Sequence, residues 1–206
     1  MNKIYTLQLG PVQANCYLVQ YSDDKAFVVD IGGEADVLDE FLAERGLSLT
    51  AVLLTHGHFD HILGVADTVK KHNCPVYIHQ LDSEKLISPL KSLQVFHPES
   101  QFKEVERHIP TADEIEIDKN IKIQTIHTPG HTAGSVCYLF KNANALFTGD
   151  TLFAYGSIGR TDFPDGNYND ITSSLKKIFS LDKKLKIYPG HGSFELELGD
   201  CEVNIF

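Results

Sequence analysis

The sequence predicts an α/β sandwich, and three observations carry that expectation. Apolar runs of strand length recur along the chain, segments of helical period lie among them, and no proline-rich or glycine-serine linker interrupts the series. The strand candidates are KIYTLQL (3–9), NCYLVQY (15–21), AFVVDI (26–31), AVLLT (51–55), PVYIH (75–79), IKIQTI (121–126), SVCYLF (135–140), ALFTG (145–149) and KIYPG (186–190). Helical periodicity marks EADVLDEFLAERG (34–46), where Val37, Leu38, Phe41 and Leu42 share a face and Gly46 is a stop. It also marks DHILGVADTVKKH (60–72) and YNDITSSLKKIFS (168–180), with QLDSEKLIS (80–88) as a shorter helix. Strands come first, and strand and helix then alternate.

Composition bounds the class. With 206 residues, 42% hydrophobic and 22% charged, the chain suits one compact domain spanning 1–206 with a sizeable core. Eighteen basic against 28 acidic residues give a net charge of −10, a field that repels phosphate backbones and anionic lipid, so no nucleic acid or membrane partner is expected. The first ten residues hold one lysine and no extended apolar core, and no run of about 18 apolar residues appears. Cys16, Cys74, Cys137 and Cys201 form no CxxC pair and read as reduced cysteines of an untargeted, cytoplasmic protein. The stretch from Ile87 to Glu114, broken by Pro89, Pro98 and Pro110, reads as a long surface connection, either plain or overhanging a site.

Potential metal ligands recur where apolar runs end. AVLLTHGHFDH, IQTIHTPGHTAGS, ALFTGDTLF and KIYPGHGS each place histidine or aspartate at the point where a strand gives way to a loop and ligands from separate segments can converge. Imidazole and carboxylate, rather than four thiolates, are the donors of a catalytic divalent ion that keeps a position open for water. His72, His79, His97, His108 and His127 lie outside this pattern and read as structural or exposed, His127 being the one that also sits near His131. Asp30, ending AFVVD, and Thr55 stand where they either orient a ligating imidazole or cap a turn.

These segments resemble the metallo-β-lactamase superfamily. Its HxHxDH signature is matched by His56, His58, Asp60 and His61, and its later motifs by His131 in TPGHTAGS, Asp150 in FTGD and His191 in PGHG, so the likeness covers nearly the whole chain. The resemblance implies a four-layer αββα sandwich with metals at one edge between the sheets. It implies His56, His58 and His131 on a first ion, Asp60, His61 and His191 on a second, and Asp150 bridging both. Zinc is the expected pair of divalent ions, with iron or manganese suited to the same donors. A hydroxide shared by the ions would attack the substrate, and Asp60 would be the catalytic carboxylate beside it.

GDTLFAYGSIGRTDFPDGN (149–167) followed by YPGHG is most similar to small glyoxalase II-like hydrolases, which implies a small-molecule thioester substrate such as S-lactoylglutathione. Full-length hydroxyacylglutathione hydrolases continue into a C-terminal helical domain that binds glutathione, whereas 15 residues follow His191 here, so a thioester or related ester of another carrier is also open, with a lactonase-type ester hydrolase as an alternative. Aspartate at 150, where the β-lactamases generally carry cysteine or serine, weighs against antibiotic hydrolysis. The GRTDF segment is shared with one-iron persulfide dioxygenases, the principal alternative. Arg160 either forks onto a substrate carboxylate or pairs with Asp162 or Asp165, and Tyr155 and Tyr168 are candidates for the mouth of the site.

Overall fold

The computed structural model describes residues 2–201. Two six-stranded mixed sheets face each other and helices cover both outer faces, giving the αββα layering. The first sheet runs in chain order through β1 (Lys3–Leu9), β2 (Ala14–Gln20), β3 (Lys25–Val29), β4 (Ser48–Leu53), β5 (Val76–Ile78) and β6 (Ile109–Pro110). Its first three strands are antiparallel, and β3 to β6 pair in parallel. The second sheet contains β7 (Glu114–Asp118), β8 (Ile121–His127), β9 (Val136–Phe140), β10 (Ala145–Gly149), β11 (Lys186–Pro189) and β12 (Leu196–Glu197). In it only β10 and β11 are parallel.

Strict alternation divides the apolar runs between layers, because successive strand side chains point to opposite faces. Tyr17, Val19, Phe27, Val29, Ala51 and Leu53 from the first sheet meet Val136, Tyr138, Phe140 and Phe147 from the second to form the central core. Their sequence neighbours Leu18, Val28 and Val52 face outward onto α1 (Ala35–Glu44) and α3 (Val65–His72), through Leu38, Leu42 and Val65. Cys137, Leu139, Leu146 and Ile187 face α4 (Tyr168–Phe179), through Ile171, Leu175 and Ile178. Burial on both faces explains why these strands read as continuous rather than alternating apolar runs. All four cysteines are free, and no described helix is long and apolar enough to cross a membrane.

Three elements depart from the sequence expectation. Residues 60–72 form not one helix but α2 (Phe59–Ile62) and α3, broken at Gly64. The Gly64 amide donates to the carbonyl of Ile31, and a Cβ there would stand 2.4 Å from the Ile31 side chain, so the turn is set by close approach to the chain leaving β3. Residues 80–87 form 3-10 turns rather than an α-helix. Val37 is 42% exposed and lies off the buried face of α1, which Leu38 and Leu42 supply. The strands β6, β7 and β12 were not anticipated; β7 and β6 are edge strands with one buried residue or none, so their hydrophobic signal is weak.

Phe27 sits wholly buried between the sheets, edge-to-face with Phe140 at 5.5 Å between centroids. Phe27→Ala should lower the unfolding free energy by about 3–5 kcal/mol, read as a fall in the urea midpoint; a change below about 1 kcal/mol would mean that this core is not packed as described.

Candidate metal centre

Every predicted ligand lies at one edge of the sandwich, just beyond a strand. His56 follows β4 by three residues, His131 lies between β8 and β9, Asp150 follows β10 and His191 follows β11. His58, Asp60 and His61 enter or occupy α2. The sheets are stitched together here. The Val136 amide donates to the Thr55 carbonyl at 2.9 Å, the Tyr138 hydroxyl to the Leu54 carbonyl at 2.8 Å, and the Tyr17 hydroxyl to the Pro189 carbonyl at 2.6 Å. Asn15 adds its backbone amide to the Gly190 carbonyl and its side-chain amide to Pro189 and Gly192. Gly190 itself is required by space, since a Cβ would stand 2.1 Å from Asp150 Oδ1 and 2.7 Å from His61 Cε1.

Three groups of donor atoms result: His56, His58 and His131; His56, His61 and Asp150; and Asp60, His61 and His191. Asp150 stands between them, with Oδ2 3.5 Å from His131 Nε2 and 3.7 Å from His191 Nε2, and Oδ1 3.5 Å from His61 Nε2. His191 Nε2 lies 3.2 Å from Asp60 Oδ2. His56 Nε2, His58 Nε2, His61 Nε2 and Asp150 Oδ1 are buried without a hydrogen-bond partner. Buried polar atoms are otherwise almost always satisfied, so this concentration at one point fits residues built to hold cations.

Hydrogen bonds behind the cluster fix the imidazoles. The Thr55 hydroxyl donates to Asp30 Oδ2 at 2.7 Å, so its lone pairs are free to accept from His56 Nδ1 at 3.1 Å, leaving His56 Nε2 as the donor toward a metal. His61 Nδ1 gives its proton to Asp30 Oδ2 at 2.9 Å, and His131 Nδ1 gives its own to the Arg160 carbonyl at 2.8 Å. Each tautomer follows from the partner, and each leaves Nε2 facing the cluster. With its proton on Nδ1, His131 accepts at Nε2 from His58 Nδ1 at 2.9 Å in the metal-free chain, and both nitrogens face the cluster.

Electrostatics separate the members. Burial, reinforced by the neighbouring imidazoles, holds His56 and His58 well below the usual histidine range, in the neutral form a metal needs. Burial would also depress His61, but the carboxylates of Asp60, Asp150 and Asp30 overcome it and push its pKa up to about 10. For Asp60 burial pulls upward, yet His61 and His191 win and hold the carboxyl well below its usual range.

A second buried carboxylate, unforeseen in the sequence, ties the two histidine loops together. Asp82 is fully buried and accepts from the Gly57 amide at 2.8 Å, the Thr132 hydroxyl at 2.8 Å and the Gly134 amide at 2.9 Å. Lys85 Nζ reaches Asp82 Oδ1 at 3.0 Å and Asp165 Oδ2 at 2.5 Å. Its pattern DSEK reads locally as a solvated helix face, and only the third dimension shows Gly57 and Gly134 on either side.

A cavity of about 710 Å³ opens over the donors. Phe153, Phe163 and Arg160 wall one side, and the long connection contributes Leu93, Phe96 and His97, so residues 87–114 do overhang the site. His97 is therefore a wall residue, stacked on Phe59 at 4.7 Å, rather than remote from the site. Arg160 Nε and Nη2 fork onto Asp162 at 2.7 and 2.6 Å, while Asp165 belongs to Lys85. Tyr155 and Tyr168 do not line this cavity: they are 79% and 61% exposed, Tyr155 on a left-handed backbone turn and Tyr168 at the start of α4. His127 stacks on His79 at 4.2 Å, and its Nε2 donates to the Ala133 carbonyl, consistent with a structural role. His72 pairs with Asp39, and His108 lies by β6 away from the donors.

The family model for the metallo-beta-lactamase superfamily matches residues 9–191, which include every one of these donors. The chain belongs to this superfamily. It is 36% identical to a probable metallo-hydrolase, YqgX, of Bacillus subtilis, over 97% of this chain and 95% of that one. It is 33% identical to the hydroxyacylglutathione hydrolase GloC of Haemophilus influenzae, over 88% and 87%. Among solved structures, BLEG-1, a B3 metallo-beta-lactamase, superposes with TM-score 0.86 at 33% identity, over 97% and 95%. TTHA1623 in a di-iron-bound form superposes with TM-score 0.83 at 32% identity, over 95% of both chains. The chain is thus a superfamily metallohydrolase with a His/Asp metal site.

Two outcomes follow. Between pH 7 and 9 metal-free His61 carries a proton, so zinc loading should release it, and the calorimetric heat should differ between buffers of unlike ionisation enthalpy. The release should fade above about pH 10; equal heats in all buffers would contradict it. Asp82→Ala leaves the Gly57 and Gly134 amides without their acceptor and Lys85 with Asp165 alone; it should cost about 1–3 kcal/mol for each unpaired amide in urea unfolding and weaken zinc binding.

Proposed function

We propose that this protein hydrolyses a small-molecule thioester at a dinuclear centre, with His56, His58 and His131 on one ion, Asp60, His61 and His191 on the other, and Asp150 shared. The observation that carries it is Asp150, whose two oxygens face both histidine groups from between them. A pair of divalent cations on these residues, zinc in this reading with iron as the precedent in TTHA1623, would supply Lewis acidity that lowers the pKa of water and polarises a carbonyl.

The chain's own residues do the rest. Asp60 stays ionised, so it acts as an acceptor that orients the attacking water within the cavity. Asp30, Thr55 and the Arg160 carbonyl keep three imidazoles in register. Phe153 and Phe163 exclude bulk water from one wall. A thiolate is a good leaving group, its conjugate acid having a pKa of about 8.5, so no side chain has to protonate it during bond cleavage. The similarity to GloC supports a thioester such as S-lactoylglutathione, and the similarity to BLEG-1 brings in a β-lactam as a second substrate reading, against which Asp150 weighs.

Metal analysis of protein purified without added metal, beside thioester, persulfide and nitrocefin assays, tests this. Two ions per chain and thiol release without oxygen uptake are expected; one iron with oxygen consumed on a persulfide would overturn it. Asp150→Ala should lower both metal occupancy and kcat, the latter by at least about 100-fold, while His108→Ala should change neither.

A further inference from the structure

A second cavity, of about 750 Å³, adjoins the one over the donors and shares Leu93, Phe96 and Phe163 with it. Leu81, Leu90 and Pro164 complete its apolar lining. Three of these side chains are left largely in water: Leu81 is 59%, Leu90 69% and Phe96 70% exposed. Such contiguous exposed apolar surface beside a site marks a binding groove rather than ordinary surface. The charges at its rim are already committed, Lys85 to Asp82 and Asp165, Lys91 to Glu84, and Asp162 to Arg160. The set holds one more carboxylate than cations, Lys85 serving both Asp82 and Asp165, so the rim offers no positive charge to attract an anionic ligand.

Phe163 is the partition between the two cavities. Its ring lies 5.4 Å from that of His58 and carries the Arg160 guanidinium, which lines the first cavity, at 4.2 Å. A substrate whose reacting carbon sits over the donors can therefore extend from the first cavity into the second along Leu93, Phe96 and Phe163, the apolar side chains that line both.

We propose that the second cavity is a subsite for an unbranched apolar chain on the substrate, so that the enzyme selects long-chain over short-chain thioesters. The inference rests on the thioesterase reading. A lactoyl group would leave the cavity empty, whereas a chain of six to ten carbons on the reacting carbonyl would bury its methylenes against Leu90, Leu93 and Phe96.

The test is a series of N-acetylcysteamine thioesters from acetyl to decanoyl, assayed with the metal-loaded protein, beside a matched series with the acetyl group fixed and the thiol chain lengthened. At about 0.8 kcal/mol for a fully buried methylene, kcat/KM should rise about two- to fourfold per carbon in the acyl series, and the decanoyl-to-acetyl ratio should fall at least about tenfold in Leu90→Lys and in Leu81→Lys. A rise confined to the thiol series keeps the subsite and assigns it the thiol arm. A flat response in both series overturns the inference and leaves the hydrolase reading intact. If no thioester is turned over, the hydrolase reading fails by itself; a dansylated undecanoic acid bound to the metal-free protein, displaced by decanoate and lost in Leu90→Lys, would still place an apolar chain in the cavity, and no such binding would remove it. A solution dimer that Leu90→Lys dissociates would also overturn the inference, by giving the patch to a second copy of the chain.

Discussion

The carboxylate of Asp30 is the interaction on which the site depends. It leaves the end of β3 with φ at +57°, a left-handed conformation that is unfavourable for a residue with a side chain, and the surrounding bonds over-determine it. One oxygen accepts the Thr55 amide at 2.8 Å; the other accepts the Thr55 hydroxyl and His61 Nδ1. A single buried group thereby joins the ends of two parallel strands to the short helix α2. It sets the tautomer of His61 directly and that of His56 through the Thr55 hydroxyl. Asp82 repeats the device a few residues away, with Gly57 and Gly134 as the amides. Two carboxylates, neither a predicted ligand, thus position most of the histidines.

Their work is costly in isolation. Seven donors crowded at a sandwich edge leave imidazole nitrogens and a carboxylate oxygen without partners, and the bonds that stitch the sheets together hold them there. In the metal-free protein a proton on His61 partly compensates the carboxylates around it. Cations complete what the proton only approximates, so metal affinity and folding stability are two readings of one free energy.

The cluster of candidate donors was legible because most of them stand within a few residues of a strand end, where apolar periodicity stops and a glycine or proline marks the loop. The α/β sandwich was legible from strand-length apolar runs alternating with helical periods, and its four-layer form from the family resemblance. What stayed hidden depends on contacts distant in sequence. The break at Gly64 comes from its approach to Ile31, and Asp82 looks solvated until the two histidine loops are folded around it. Tyr155 and Tyr168 looked plausible because they flank GRTDF, but proximity in sequence did not fix direction, and Phe153 and Phe163 of the same segment face the cavity instead. Arg160 contributes its main-chain carbonyl to His131, a role that no side-chain chemistry advertises.

Residues 88–113, beyond the Asp82 anchor, line both cavities through Leu93 and Phe96 yet donate none of the predicted ligands. Reaction and recognition are therefore carried by separate stretches of chain. Lengthening a flexible connection costs little, about 0.6 kcal/mol for each doubling in length, so this segment can be rebuilt while strand ends and donors stay in place. Descendants of such a scaffold would be expected to differ in what they accept long before they differ in how they cut it.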